Sequence, residues 1–197
     1  MPERPSRLPS TVLKVTFATL HLAVSILILF ALSYLLGHSI LDGGLQGSDS
    51  PLHVGYAVWL DEYFPRLPHW YPLQGGGASI LHGYPLLAHL IVVVLHRLTG
   101  LSILQTFRLV SFAAFPLTAL GVYAFSWSVL KRQTIGLIAA VFFLLAPVTW
   151  TWMYNWGFFA QQVAIVFLPP ALIAFDRTLH HQLAKMRSGR GRLWFTA

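Results

Sequence analysis

Apolar residues fall into four long blocks along this chain, 15–37, 109–130, 134–152 and 159–175, with the polar residues pushed between them. A helix rising 1.5 Å per residue needs roughly 17–25 apolar residues to cross a hydrocarbon layer of about 30 Å, and each block reaches that length. The first block follows Arg4, Arg7 and Lys14. It is longer than the roughly 7–15 residues of a secretory signal core, so it reads as a signal anchor.

Between the first two blocks lies 38–103, a loop-like stretch punctuated by Gly43-Gly44, Gly47 and Gly75-Gly76-Gly77. Within it, Pro51 to Phe64 reads as a short helix, with Ser50 as its cap, Pro51 at its first position and Asp61-Glu62 near its end. Val54, Val58 and Leu60 are expected to face one way. Tyr84 to Leu98 is apolar, but as a helix it would be only about 22 Å long, too short for a full crossing. Histidines 82, 89 and 96 recur every seven residues and so fall near one helix face. Such a stripe fits a helix lying in the membrane interface; a short tilted span is the other reading.

Charge separates these readings. Basic residues sit before the first block, at Lys131-Arg132, and in a late group of Arg177, Lys185, Arg187, Arg190 and Arg192. If Tyr84–Leu98 does not cross, all three groups fall on one side, as the positive-inside tendency requires. The expected fold class is therefore all-α and integral to the cell membrane, a single multi-pass domain over 1–197. It has about four transmembrane helices, a non-spanning juxtamembrane helix, an extracytoplasmic first loop at 38–103 and a cytoplasmic basic loop at 176–192. The amino terminus is cytoplasmic, and Arg97 and Arg108 lie on the outer side. Leu193-Trp194-Phe195-Thr196-Ala197 reads as the opening of another span, so the chain is expected to be the amino-terminal portion of a longer polytopic protein.

Composition agrees with this reading. The chain is 56% hydrophobic and 10% charged, whereas soluble domains carry roughly a quarter charged residues. It has no cysteine, which excludes disulfides, thiolate catalysis and cysteine zinc sites. The net charge of +7 lies beside apolar blocks, so anionic membrane lipids, and not nucleic acid, are the expected partners.

Candidate chemistry collects between Gly47 and Arg108. Asp49 stands before a helix start with His53 four residues on. It reads either as a capping or loop aspartate or as a general base that takes a proton from an acceptor hydroxyl. His53 reads as a partner of Asp49, a phosphate contact, or an incidental histidine. Arg97 and Arg108 either snorkel to headgroups or present forked donors to a lipid-linked phosphate. Trp70, His82, Tyr84 and His89 complete the set of substrate-binding candidates. No Asp-x-Asp motif follows the first span, and histidines seven apart on a helix are about 10 Å apart, so no metal site is expected. Trp150, Trp152, Tyr154 and Trp156 read as an interfacial aromatic belt before a sugar-stacking platform.

Asp49 soon after the first span, Trp70-Tyr71-Pro72, Gly83-Tyr84-Pro85-Leu86, Gly100-Leu101-Ser102 and Arg108 together resemble polytopic glycosyltransferases of the GT-C superfamily. The similarity is nearest to the membrane family labelled 6-pyruvoyl-tetrahydropterin synthase-related. The resemblance implies an inverting transfer from a polyprenyl-phosphate-linked sugar on the outer face, with no cofactor. By this resemblance Asp49 matches the first-loop acid that serves as catalytic base, Tyr84-Pro85-Leu86 the juxtamembrane helix start, and Arg108 the arginine opening the second true span. Gly83-Tyr84-Pro85-Leu86 has one proline where many relatives have two, and the chain is shorter than a complete enzyme of this kind. The alternative is a non-catalytic membrane protein, a transporter or accessory subunit for lipid-linked glycans, in which the same residues bind without reacting.

Overall fold

A computed structural model describes residues 10–72, 76–79 and 85–187. Among the described residues the architecture is all-α apart from one pair of two-residue strands. In chain order the elements are α1 (Ser10–Gly37), α2 (Ser39–Asp42), α3 (Ser50–Tyr63), β1 (Trp70–Tyr71), β2 (Ala78–Ser79), α4 (Leu87–Thr99), α5 (Ile103–Leu130), α6 (Gln133–Leu145), α7 (Pro147–Thr151), a π turn (Trp152–Trp156) and α8 (Phe159–Arg187).

Among the described residues, three stretches of helix are long and apolar enough to cross a membrane: Val15–Gly37, Ile103–Leu130 and Phe159–Met186. A fourth is the bent pair Gln133–Leu145 and Pro147–Trp156, if its two arms count as one span. The helix expected at 109–130 starts earlier, because Ser102 and Gln105 form a reciprocal capping box that stops fraying at Ile103. The block expected to end at 175 continues as helix to Arg187, so the described part of the 176–192 loop is helical. Its Leu, Ala, Gln, Lys and Met residues are strong helix formers that sustain it without apolar packing. Residues 188–192 of that loop, and Leu193–Ala197, lie outside the described residues.

The 51° bend between α6 and α7 has a local cause. Pro147 has no N–H to give, so carbonyls of the preceding turn lose their helical partners. Thr149 Oγ1 donates to the Phe143 carbonyl at 2.8 Å, and the Trp150 indole N–H to that of Leu144. From α8, Gln162 Nε2 donates to the Thr149 carbonyl at 2.9 Å. A bend with its backbone groups satisfied this way is tolerable inside an apolar bundle. The Trp150 ring stacks on Phe115 at 4.0 Å, a contact worth about 0.5–1.5 kcal/mol beyond its burial.

Contacts fix the helix directions. His21 of α1 reaches Thr134 of α6 at 3.4 Å, and Tyr154 Oη donates to the Leu36 carbonyl at 3.1 Å. α1 and the α6–α7 arm therefore run the same way. Gly37 lies against Phe112, near the start of α5, so α5 runs back. Phe159 packs on Phe107 at 4.6 Å, and Pro169 fits over Gly121, so α8 follows α5. Lys131, Arg132 and Arg177 consequently share the end of the bundle at which α1 begins. Asp49, α3 and the start of α4 lie at the other end.

Candidate functional site

α3 and α4 lie side by side in a common register. His53 pairs with His89 and Asp61 with Arg97, each pair 36 residues apart, so the helices run parallel over two turns. Apolar and aromatic packing holds that register: Tyr56, Trp59, Leu60, Tyr71 and Val93 form one buried cluster. Tyr71 enters it from β1, its ring 4.5 Å from that of Tyr56. Val58, expected on the apolar face, is instead 42% exposed, and the buried face is His53, Tyr56, Ala57 and Leu60. Leu60 is buried as expected and Val54 packs on the main core cluster, so of the expected face only Val58 turns outward.

His53 and His89 are both fully buried, Nδ1 of the first 3.1 Å from Nε2 of the second. Phe159 closes one side, its ring 5.7 Å from His53 and 5.6 Å from His89. The Tyr56 ring stands edge-on to His89 at 5.5 Å. Burial lowers the His53 pKa to about 4, against the opposing effects of the Asp49 charge and a backbone hydrogen bond with Gly157. Burial, and then the neighbouring His53, lower that of His89 to about 3. Both rings are thus neutral near pH 7, where one ring N–H donates to the other's bare nitrogen. The histidine stripe of α4 is therefore turned inward: His89 meets His53, and His96 Nε2 lies 3.7 Å from Asp61 Oδ2.

Asp49 occupies the N-cap position of α3 but makes no side-chain capping bond. Its carboxylate accepts from Ser48 Oγ at 3.1 Å and remains half-exposed. The backbone beneath it is clamped to the π turn. Ser48 N–H donates to the Asn155 carbonyl at 3.2 Å and Asp49 N–H to that of Trp156 at 3.0 Å. Gly47 and Gly157 meet back to back, both at positive φ, and a Cβ on Gly47 would sit 2.1 Å from the Gly157 nitrogen. Only glycine permits that approach.

The two arginines differ. Arg97 donates from Nε to Asp61 Oδ1 at 2.6 Å and lies over the Phe64 ring at 5.0 Å, so it is committed to α3. Arg108, on the second turn of α5, is half-buried, and its Nε has neither solvent contact nor a hydrogen-bond partner among the described residues. Trp70 is 56% exposed and lies across Gly77 beside the strand pair. His82 and Tyr84 lie outside the described residues. Trp150 and Tyr154 of the aromatic group are structural, whereas Trp156 is exposed and stacks on Phe158 at 6.1 Å.

The structure brings Asp49, His53 and His89 to one end of the bundle. It joins Arg97 to Asp61, a pairing that the sequence reading did not foresee. The histidine pair was also missed; its only sequence signal is that residues 53 and 61 stand at the same offset from 89 and 97. Comparison with protein-family models, curated proteins and solved structures finds no match. What the fold itself defines is an all-α protein with three or four helices able to cross a membrane.

Proposed function

We propose that this chain is a glycosyltransferase-like membrane protein of GT-C type, accepting a polyprenyl-phosphate-linked sugar at the Asp49 end of the bundle. That end faces the outside of the cell, the amino terminus and Lys131-Arg132 face the cytoplasm, and α4 does not cross. The observation that carries the reading is Asp49 itself. It is a half-exposed carboxylate on a clamped backbone strap, it caps no helix, and it stands one turn from a buried neutral histidine.

In the reaction, the Asp49 carboxylate accepts the proton of an acceptor hydroxyl as that oxygen bonds to the anomeric carbon. The anomeric C–O bond to the phosphate breaks with its electron pair, and the polyprenyl phosphate leaves from the opposite face, which inverts the anomeric centre. Arg108 supplies a guanidinium to the phosphate, a role open to it because its Nε has no partner among the described residues. Arg97 instead holds α4 to α3 through Asp61.

The test is transfer from a polyprenyl-phosphate sugar by the full-length protein in membranes. Asp49→Asn should lower the rate by about 10²–10⁴-fold, the usual contribution of a general base. Arg108→Gln should lower it with unchanged helical content. Undiminished transfer by Asp49→Asn removes that residue from the mechanism. Binding of the lipid-linked sugar without any transfer by the wild type would favour a non-catalytic role.

A further inference from the structure

At the other end of the bundle, a cavity of about 410 Å³ opens between the last turns of α5 and the latter half of α8. Its walls are Ala124, Trp127, Ser128 and Lys131 on one side and Ile173, Asp176 and Arg177 on the other. We propose that this cavity binds the phosphate headgroup of an anionic membrane glycerophospholipid.

Three features support the proposal. First, Lys131 is fixed there by the backbone: it caps α5 in the left-handed region at φ 57, with its N–H on the Trp127 carbonyl at 2.8 Å. Glycine is the residue that ordinarily takes this position, and a lysine here holds a cation at the helix end at a modest backbone cost. Second, the charges are arranged to leave positive potential. Two cations, Lys131 and Arg177, face one acid, Asp176, whose Oδ1 lies 3.4 Å from His180 Nε2, and neither cation forms an ion pair among the described residues. Third, the cavity is amphipathic. The two cations and the Ser128 hydroxyl suit a phosphate diester, and Ala124, Ile173 and the Trp127 ring suit the glycerol and first acyl carbons below it. An indole at such a depth is a usual membrane-interface contact.

The experiment reconstitutes the full-length protein in nanodiscs of phosphatidylcholine containing a minor fraction of phosphatidylglycerol. Lipid retained after gentle detergent extraction is counted by native mass spectrometry. Wild type should retain phosphatidylglycerol in preference to phosphatidylcholine. Each cation near an anionic surface is worth about a fivefold change in affinity, so Lys131→Gly and Arg177→Ala should each lower retention about that much. Lys131→Gly relieves the backbone strain, so its loss of lipid cannot be assigned to misfolding. Lys185→Ala, two turns further along the exposed part of α8, should keep retention unchanged. Equal retention by wild type and the Lys131→Gly/Arg177→Ala double variant would overturn the proposal, as would an equal loss in Lys185→Ala. Release of the lipid by millimolar inorganic phosphate alone would reassign the cavity to free phosphate and overturn it too.

Discussion

Two imidazoles can share a hydrogen bond only while one of the facing nitrogens lacks a proton, and the His53–His89 pair is buried where water cannot substitute for either ring. The consequence for pH follows from the direction of both shifts. In the unfolded chain each ring takes up its proton near pH 6.5, whereas in the folded protein His53 waits until about 4 and His89 until about 3. Between those values the unfolded state binds more protons, so stability is full above about pH 6.5 and falls as pH drops. The loss can reach about 1.4 kcal/mol per pH unit for each ring. Thermal unfolding in mild detergent should therefore show a falling Tm from pH 6.5 to 4, and a shallower fall in His89→Gln. A flat profile in the wild type would mean the pair is hydrated. At this scale the sequence made Asp49 legible, because an acid before Ser50-Pro51 marks a helix start. It could not disclose that the carboxylate would be left uncapping and half-exposed.

Elements place that acid through one contact between distant backbones. The strap 47–50 is clamped to the π turn by hydrogen bonds from Ser48 and Asp49, and the clamp closes because Gly47 and Gly157 lack Cβ atoms. Gly47→Ala would force both a Cβ clash and a left-handed alanine, and should destabilise the protein by roughly 2–4 kcal/mol. Gly44→Ala meets nothing within 4 Å and is the matched control, expected to shift Tm little. Equal Tm values for the two variants would show that the clamp contributes nothing. Gly47 was readable in the sequence as punctuation. Its partner was not, since Gly157 ends a π turn more than a hundred residues away, and nothing local in either stretch ties the two together.

Over the whole molecule, the helix directions put Lys131 and Arg177 at one end and Ser48 at the other, as the contacts of α1 with α6 and of α5 with α8 require. With no native cysteine, single-cysteine variants report cleanly on accessibility. Intact cells treated with a membrane-impermeant maleimide should label cysteine at 48 and leave cysteine at 131 or 177 unlabelled until the membrane is opened. Labelling of 131 from outside would reverse the orientation proposed here, and the outward-facing Asp49 with it.

The sequence alone determined the class of fold and the four apolar blocks, because block length and flanking charge are local quantities that any window of some twenty residues contains. It also marked a short apolar helix at Tyr84–Leu98, and the helix observed there is Leu87–Thr99. Tertiary structure decided which residues meet. His53 finds His89, Asp61 pairs with Arg97, and Gly47 touches Gly157, each across a separation set by how whole helices pack. No local pattern encodes such distances, so the same polar residues read as one loose cluster in the sequence and as distinct pairs in the fold.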